Sequence, residues 1–227
     1  QRALVIAPIR DRWNASPEAR GRMYQHAQRW QQLTPQQRLA ARHGMWKWQH
    51  MDPAQRESAR ALFHRMRDMT PTKTDRDPDG KPQPSLAGSG GMANFLTFIK
   101  TELIPRIEHD YRTAPYRIFI GHSLGGITTI DALYTMPDAF NAYVAIDPSL
   151  WWDKRVLLKQ ARERFSKPGL AGRTLFVAQA NTISPGDTTL NVHFNSIIQF
   201  NSILETFNQS GLRYGYKYYP HDSHGSV

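Results

Sequence analysis

The sequence contains no cysteine. Disulfides, a cysteine nucleophile and cysteine-ligated zinc are therefore excluded, while the compartment stays open. Long apolar runs are also missing. Nothing approaches the roughly 20 residues needed to span a bilayer, and the early run Ala3-Leu4-Val5-Ile6-Ala7 is closed by Pro8. That run lacks the layout of a signal peptide as well. Acidic residues are scarce in one part of the chain only. Residues 1–73 hold 14 Lys/Arg against 5 Asp/Glu, whereas residues 74–227 hold 15 against 14. A contrast of this size predicts two pieces with different partners, divided near residue 73.

The first piece is a repeat. Pro17, Pro35, Pro53 and Pro71 stand 18 residues apart, each after Ser, Thr or Asp. This is helix-start chemistry: the short polar side chain caps free N–H groups, and proline in the first turn loses no hydrogen bond. Gln37 and Gln55 sit three residues past their caps, where a capping box closes. Met23, Ala27, Trp30 and Leu33 form one apolar stripe. Ala41, Met45, Trp48 and Met51 form the next, and Ala59, Phe63, Met66 and Met69 the third. Steps of four, three and three predict three short amphipathic helices over residues 16–69. The segment resembles an uncharacterised bacterial family of Trp-x-x-Leu-x-Pro-x-Gln-Arg repeats over about residues 4–70. It reads as a basic packing or adaptor module, open to a protein partner, and no motif supports nucleic acid.

Residues 72–91 are polar and turn-rich and are expected to form a linker. Within them Gly88-Ser89-Gly90-Gly91 lacks the Lys-Ser/Thr of a phosphate loop and follows no convincing strand. From Met92 the pattern becomes helix, strand, helix, strand. Strand candidates are Tyr116–Ile120, Ala142–Ile146, Thr174–Ala178 and Tyr214–Tyr219, with helical faces between them. Such alternation predicts a parallel sheet covered by helices on both faces. The expected division is thus a basic helical segment at 1–71, the linker at 72–91 and an α/β domain at 92–227.

Gly121-His122-Ser123-Leu124-Gly125 carries the chemistry. It follows a strand and precedes a helix, the context in which Gly-x-Ser-x-Gly presents a nucleophilic serine. The flanking glycines are expected to let backbone approach closely, and the Leu124 N–H to stabilise an oxyanion. A serine hydroxyl needs a base. His221 and His224 both follow the last strand candidate, and spacing alone does not separate them. For the acid, Asp187 lies after the third strand and is the first choice, with Asp147, after the second, as the substitute. Asp222 is too close in sequence to His224. His193, His221 and His224 form no zinc motif, and no metal or cofactor is expected.

Together these residues resemble the siderophore-esterase-like branch of the α/β-hydrolases. The resemblance rests on Gly121–Gly126, on Pro148-Ser149-Leu150-Trp151-Trp152 and on Asp222-Ser223-His224-Gly225-Ser226-Val227. It implies a partial α/β-hydrolase fold, a small-molecule ester as substrate, and acyl transfer through Ser123 with His224 as base. It also implies a substrate pocket that includes His122, Trp151 and Trp152. The helical repeat occupies the place where such enzymes carry earlier strands, and the sequence offers no candidate for a second oxyanion donor. Ala3–Ala7 reads either as one such strand or as the opening of the repeat. The alternative reading is a weakly catalytic or inactive hydrolase-like scaffold that works through its basic helices.

Overall fold

A computed structural model of the chain describes residues 11, 13–77, 80–183 and 191–227. The Ala3–Ala7 run and Asp187 lie outside the described residues. The chain forms two compact units, Gln1–Ser58 and Ala59–Val227.

The repeat becomes helices α1 (Pro17–Gln32), α2 (Pro35–His50) and α3 (Pro53–Asp68). Each begins with the predicted chemistry. Ser16 accepts the Ala19 N–H at 3.1 Å. The Thr34 hydroxyl accepts the Gln37 N–H at 3.2 Å, while the Gln37 side chain accepts the Thr34 N–H at 2.9 Å. Asp52 and Gln55 repeat that box at 2.8 and 3.0 Å. Arg38 and Arg56 then reach back to the preceding helix end, donating to Leu33 and Gln31 carbonyls and to Trp48 and Gln49 carbonyls respectively. Orphan carbonyls at a helix C-terminus are satisfied in this way. Most of the stripe is half-buried, but Ala27, Met45 and Phe63 are exposed and Met66 is buried.

The second unit is built on four parallel strands in the order β1 (Ile118–His122), β2 (Ala142–Ile146), β3 (Thr174–Ala180) and β4 (Arg213–Tyr219). Helices α6 (Leu124–Thr135), α7 (Trp152–Phe165) and α8 (Val192–Phe207) connect them in turn. Parallel neighbours need a crossover connection of this length, and each helix supplies one. The core is drawn from these layers, with Ile127, Ile130, Leu133, Tyr143, Phe165, Leu175, Ile197 and Phe200 fully buried. Met66 and Leu86 also belong to it. The first turn of α7 is left-handed at Asp153, Lys154 and Arg155 before regular helix resumes.

Before β1 the chain forms a long helical stretch: α4 (Met92–Phe98), a π turn (Ile99–Leu103) and α5 (Ile104–Asp110). Pro105 explains the break. It offers no N–H to the preceding turn and its ring crowds the carbonyl there, so the Ile104 N–H bonds five residues back to Ile99. The stretch between α3 and α4 is tied down by buried Thr70. Its hydroxyl donates to the Met66 carbonyl and accepts the Gly90 N–H at 2.8 Å, and its carbonyl accepts the Met92 N–H.

Candidate active site

Parallel strands end on one edge of the sheet, and loops from those ends converge there. β1 ends at His122 and α6 begins at Leu124, so Ser123 alone makes the turn. Its backbone sits at φ 60° and ψ −115°, a conformation held only when its surroundings fix it. Three hydrogen bonds do so. The Ser123 N–H donates to the Ile146 carbonyl at 3.0 Å, and its carbonyl accepts the N–H groups of Ser149 at 3.1 Å and Ile127 at 3.2 Å. A Cβ on Gly121 would lie 2.0 Å from the Gly125 carbonyl oxygen. One on Gly126 would lie 2.9 Å from the Pro148 Cα, but one on Gly125 would meet nothing within 4 Å. The close approach expected at Gly125 is therefore made at Gly126.

Ser123 Oγ lies 3.0 Å from His224 Nε2. The other ring nitrogen, Nδ1, makes a short hydrogen bond to Asp147 Oδ2. Both bonds fit a neutral imidazole that donates from Nδ1 and accepts at Nε2. Among the described residues it is His224, not the exposed His221, that reaches the serine. The carboxylate beside it belongs to Asp147, the substitute named for Asp187.

Asp147 follows β2 on a left-handed backbone, at φ 41°, which aspartate tolerates better than most residues. Its side chain is fully buried. Oδ1 accepts the Ala180 N–H at 3.0 Å, and Oδ2 accepts from His193 Nε2 at 2.8 Å as well as from His224. Burial raises the carboxyl pKa. The hydrogen bonds from His193 and His224, the charge effect of His193 and the Ala180 N–H outweigh it, holding the group below its ordinary value. Asp147, His193 and His224 could also offer ligand atoms to a metal ion, yet hydrogen bonds already join all three.

Residues 66–192, more than half of the chain, match the family described as Putative esterase. The chain belongs to that esterase family. Residues 1–77 match a second family, described as Protein of unknown function (DUF3106). The chain is 44% identical to the ferri-bacillibactin esterase BesA of Bacillus subtilis over 101 residues, 42% of this chain and 34% of that protein. It is 34% identical to the siderophore enterobactin esterase of Emericella nidulans over 131 residues, 54% of this chain and 37% of the relative. The solved IroE-like serine hydrolase from Shewanella oneidensis superposes with a TM-score of 0.67 at 39% identity, covering 72% of this chain and 52% of that one. The chain thus spans about a third of the length of these curated relatives. The parallel α/β-hydrolase architecture expected from the sequence is borne out.

The remaining site candidates of this esterase-family chain fall into two groups. His122 is exposed at the end of β1, lines a cleft of about 300 Å³ with Met69, Phe95, Ile120 and Thr128, and donates from Nε2 to the His224 carbonyl at 2.6 Å. Leu124 is the first residue of α6, where helical N–H groups have no partner within the helix. Trp152, expected in the pocket, is only 2% exposed and donates its indole N–H to the Thr72 carbonyl at 3.2 Å. It is a core anchor rather than a wall, since it belongs to the hydrophobic core cluster. Trp151 stays half-buried, with its ring centroid 5.7 Å from that of Trp152. Two further residues reach the site, Ser149 and His193, neither of which was expected there from sequence. Ser149 lies within Pro148-Ser149-Leu150-Trp151-Trp152, so a signal exists for it. His193 had none, since only folding brings it to Asp147.

Proposed function

We propose that the chain is a serine carboxylic-ester hydrolase in which Ser123, His224 and Asp147 act as nucleophile, base and orienting acid. The observation that carries this reading is the continuous contact from Ser123 Oγ through the His224 ring to buried Asp147. Serine is a weak nucleophile until a base takes its proton. His224 Nε2 is placed to take it as Oγ attacks the ester carbonyl. Asp147 accepts the Nδ1–H, holds that tautomer and balances the imidazolium that forms. The developing oxyanion falls near the positive end of α6, where the Leu124 N–H is available. The imidazolium then protonates the leaving alcohol. Water repeats the sequence and frees the acid.

For the substrate we propose an ester bond of a siderophore or a small acyl ester. The names of the bacillibactin and enterobactin esterases support this class, and the cleft lined by Phe95, Ile120 and His122 supplies apolar contact beside the elbow.

The test is hydrolysis of a short-chain p-nitrophenyl ester by wild type and Ser123→Ala. Loss of the nucleophile lowers turnover by roughly a million-fold in a full serine hydrolase. A wild type no faster than Ser123→Ala would overturn the reading.

A further inference from the structure

We infer that His193 is a positioning residue for the hydrolytic site: by donating to the same carboxylate oxygen as His224, it fixes the Asp147 carboxylate against which His224 is oriented. The inference rests on the proposed hydrolase reading and deepens it.

Asp147 Oδ2 receives two imidazole N–H groups, from His193 Nε2 at 2.8 Å and from His224 Nδ1. The two histidines are anchored very differently. His193 is the second residue of α8, and its side chain is 17% exposed. The start of α8 is pinned by Asn191, whose Oδ1 accepts the Phe194 N–H at 2.9 Å and whose Nδ2 donates to the Thr182 carbonyl at 2.8 Å. Buried Gln179 on β3 donates to the Phe194 carbonyl at 3.1 Å and accepts from the Tyr216 hydroxyl on β4. His193 therefore belongs to a frame shared by β3, β4 and α8. His224 lies in the segment after β4, and its side chain is 43% exposed.

An aspartate has few rotamers, yet its terminal carboxylate torsion is broad. The Ala180 N–H on Oδ1 and the His193 N–H on Oδ2 hold that torsion from opposite ends, so the oxygen facing His224 is fixed before His224 docks. The His193 ring also stands edge-on to that of His224, with centroids 5.1 Å apart and planes 87° apart. That contact limits rotation of the catalytic imidazole. Partners behind a reactive group commonly change activity by roughly 10- to 100-fold when removed, as metal-site mutations show.

Two variants separate positioning from plain filling of space. His193→Phe keeps a ring of similar bulk and removes the donor, whereas His193→Gln keeps an N–H near the Nε2 position. With p-nitrophenyl acetate, His193→Phe is expected to lose roughly 10- to 100-fold in kcat with KM within about 2-fold, and His193→Gln to recover most of the loss. Low-field proton NMR in a Ser123→Ala background supplies a readout that needs no catalysis. The His224 Nδ1–H resonance should shift or broaden when His193→Phe is added and persist with His193→Gln. A folded His193→Phe with wild-type kcat and an unchanged resonance overturns the inference. So does a folded His193→Gln that is as slow as His193→Phe, and if His193→Phe fails to fold, a tenfold kcat loss in folded His193→Gln has the same force. An inactive wild type would sink the hydrolase reading instead, and the NMR comparison would still decide whether His193 orients the pair.

Discussion

Ser149, 2% exposed, brings its hydroxyl oxygen to 3.2 Å from that of Ser123. The Ser123 proton is directed to His224 Nε2, so the hydrogen between the two serines comes from Ser149. The relay runs from Ser149 through Ser123 and His224 to Asp147. Ser149→Ala removes a neutral hydrogen bond of about 1 kcal/mol and leaves Ser123, the proposed nucleophile, freer to rotate. A kcat decrease of roughly 5- to 10-fold with a normal unfolding midpoint is expected in steady-state ester hydrolysis; an unaltered kcat would show that the contact is idle.

Glycine at 121 and glycine at 125 should answer differently to alanine. At Gly121 the new methyl meets the Gly125 carbonyl at 2.0 Å, and backbone cannot swing aside as a side chain can. Gly121→Ala is expected to exceed the roughly 1–3 kcal/mol usual for overpacking. Gly125→Ala enters open space within a helix and should be neutral or stabilising by up to about 1 kcal/mol. Urea denaturation of the two variants checks both statements.

Acid should weaken the folded second unit through Asp147. Its carboxyl is held below the ordinary value in the folded state, so the unfolded chain binds more protons as pH falls through about 4. The contribution is therefore complete above the unfolded pKa and is lost as pH drops through the lower, folded one. Thermal midpoints measured between about pH 2.5 and 6 should fall more steeply in the wild type than in Asp147→Asn. At neutral pH the same variant should lose turnover by roughly 10,000-fold, since an amide fails to hold the tautomer. Parallel acid slopes would count against an ionised Asp147.

His122 secures the loop that carries the proposed base, His224. Its Nε2–H donates to the His224 carbonyl at 2.6 Å, and Asn181 holds the same segment through the Asp222 and Pro220 carbonyls. His122→Phe keeps the ring but drops the donor. Misplacement of a catalytic group by about 1 Å costs on the order of 100-fold, so a 10- to 100-fold fall in kcat is expected, with larger fluctuations of the His224 segment in hydrogen exchange. Wild-type exchange and turnover in this variant would remove His122 from the positioning role.

Local chemistry alone determined a good deal. The Ser/Thr/Asp-Pro steps set the starts of α1 to α3, because capping depends on residues within one turn. The β-rich runs marked the strands, and the Gly-x-Ser-x-Gly turn the proposed nucleophile, for the same reason. What belongs to residues distant in sequence had to wait for the fold. Asp147 and His224 are separated by 77 residues and meet only because β2 and β4 end on the same edge of a parallel sheet. Ordinary turn chemistry makes one loop aspartate look like another, so the sequence ranked Asp187 ahead of Asp147. Likewise Trp151 and Trp152 are indistinguishable as neighbours, yet packing leaves the first partly accessible and buries the second. His193 carried no local signal, and its place beside Asp147 was decided by the position of α8 against β3, a property of tertiary packing.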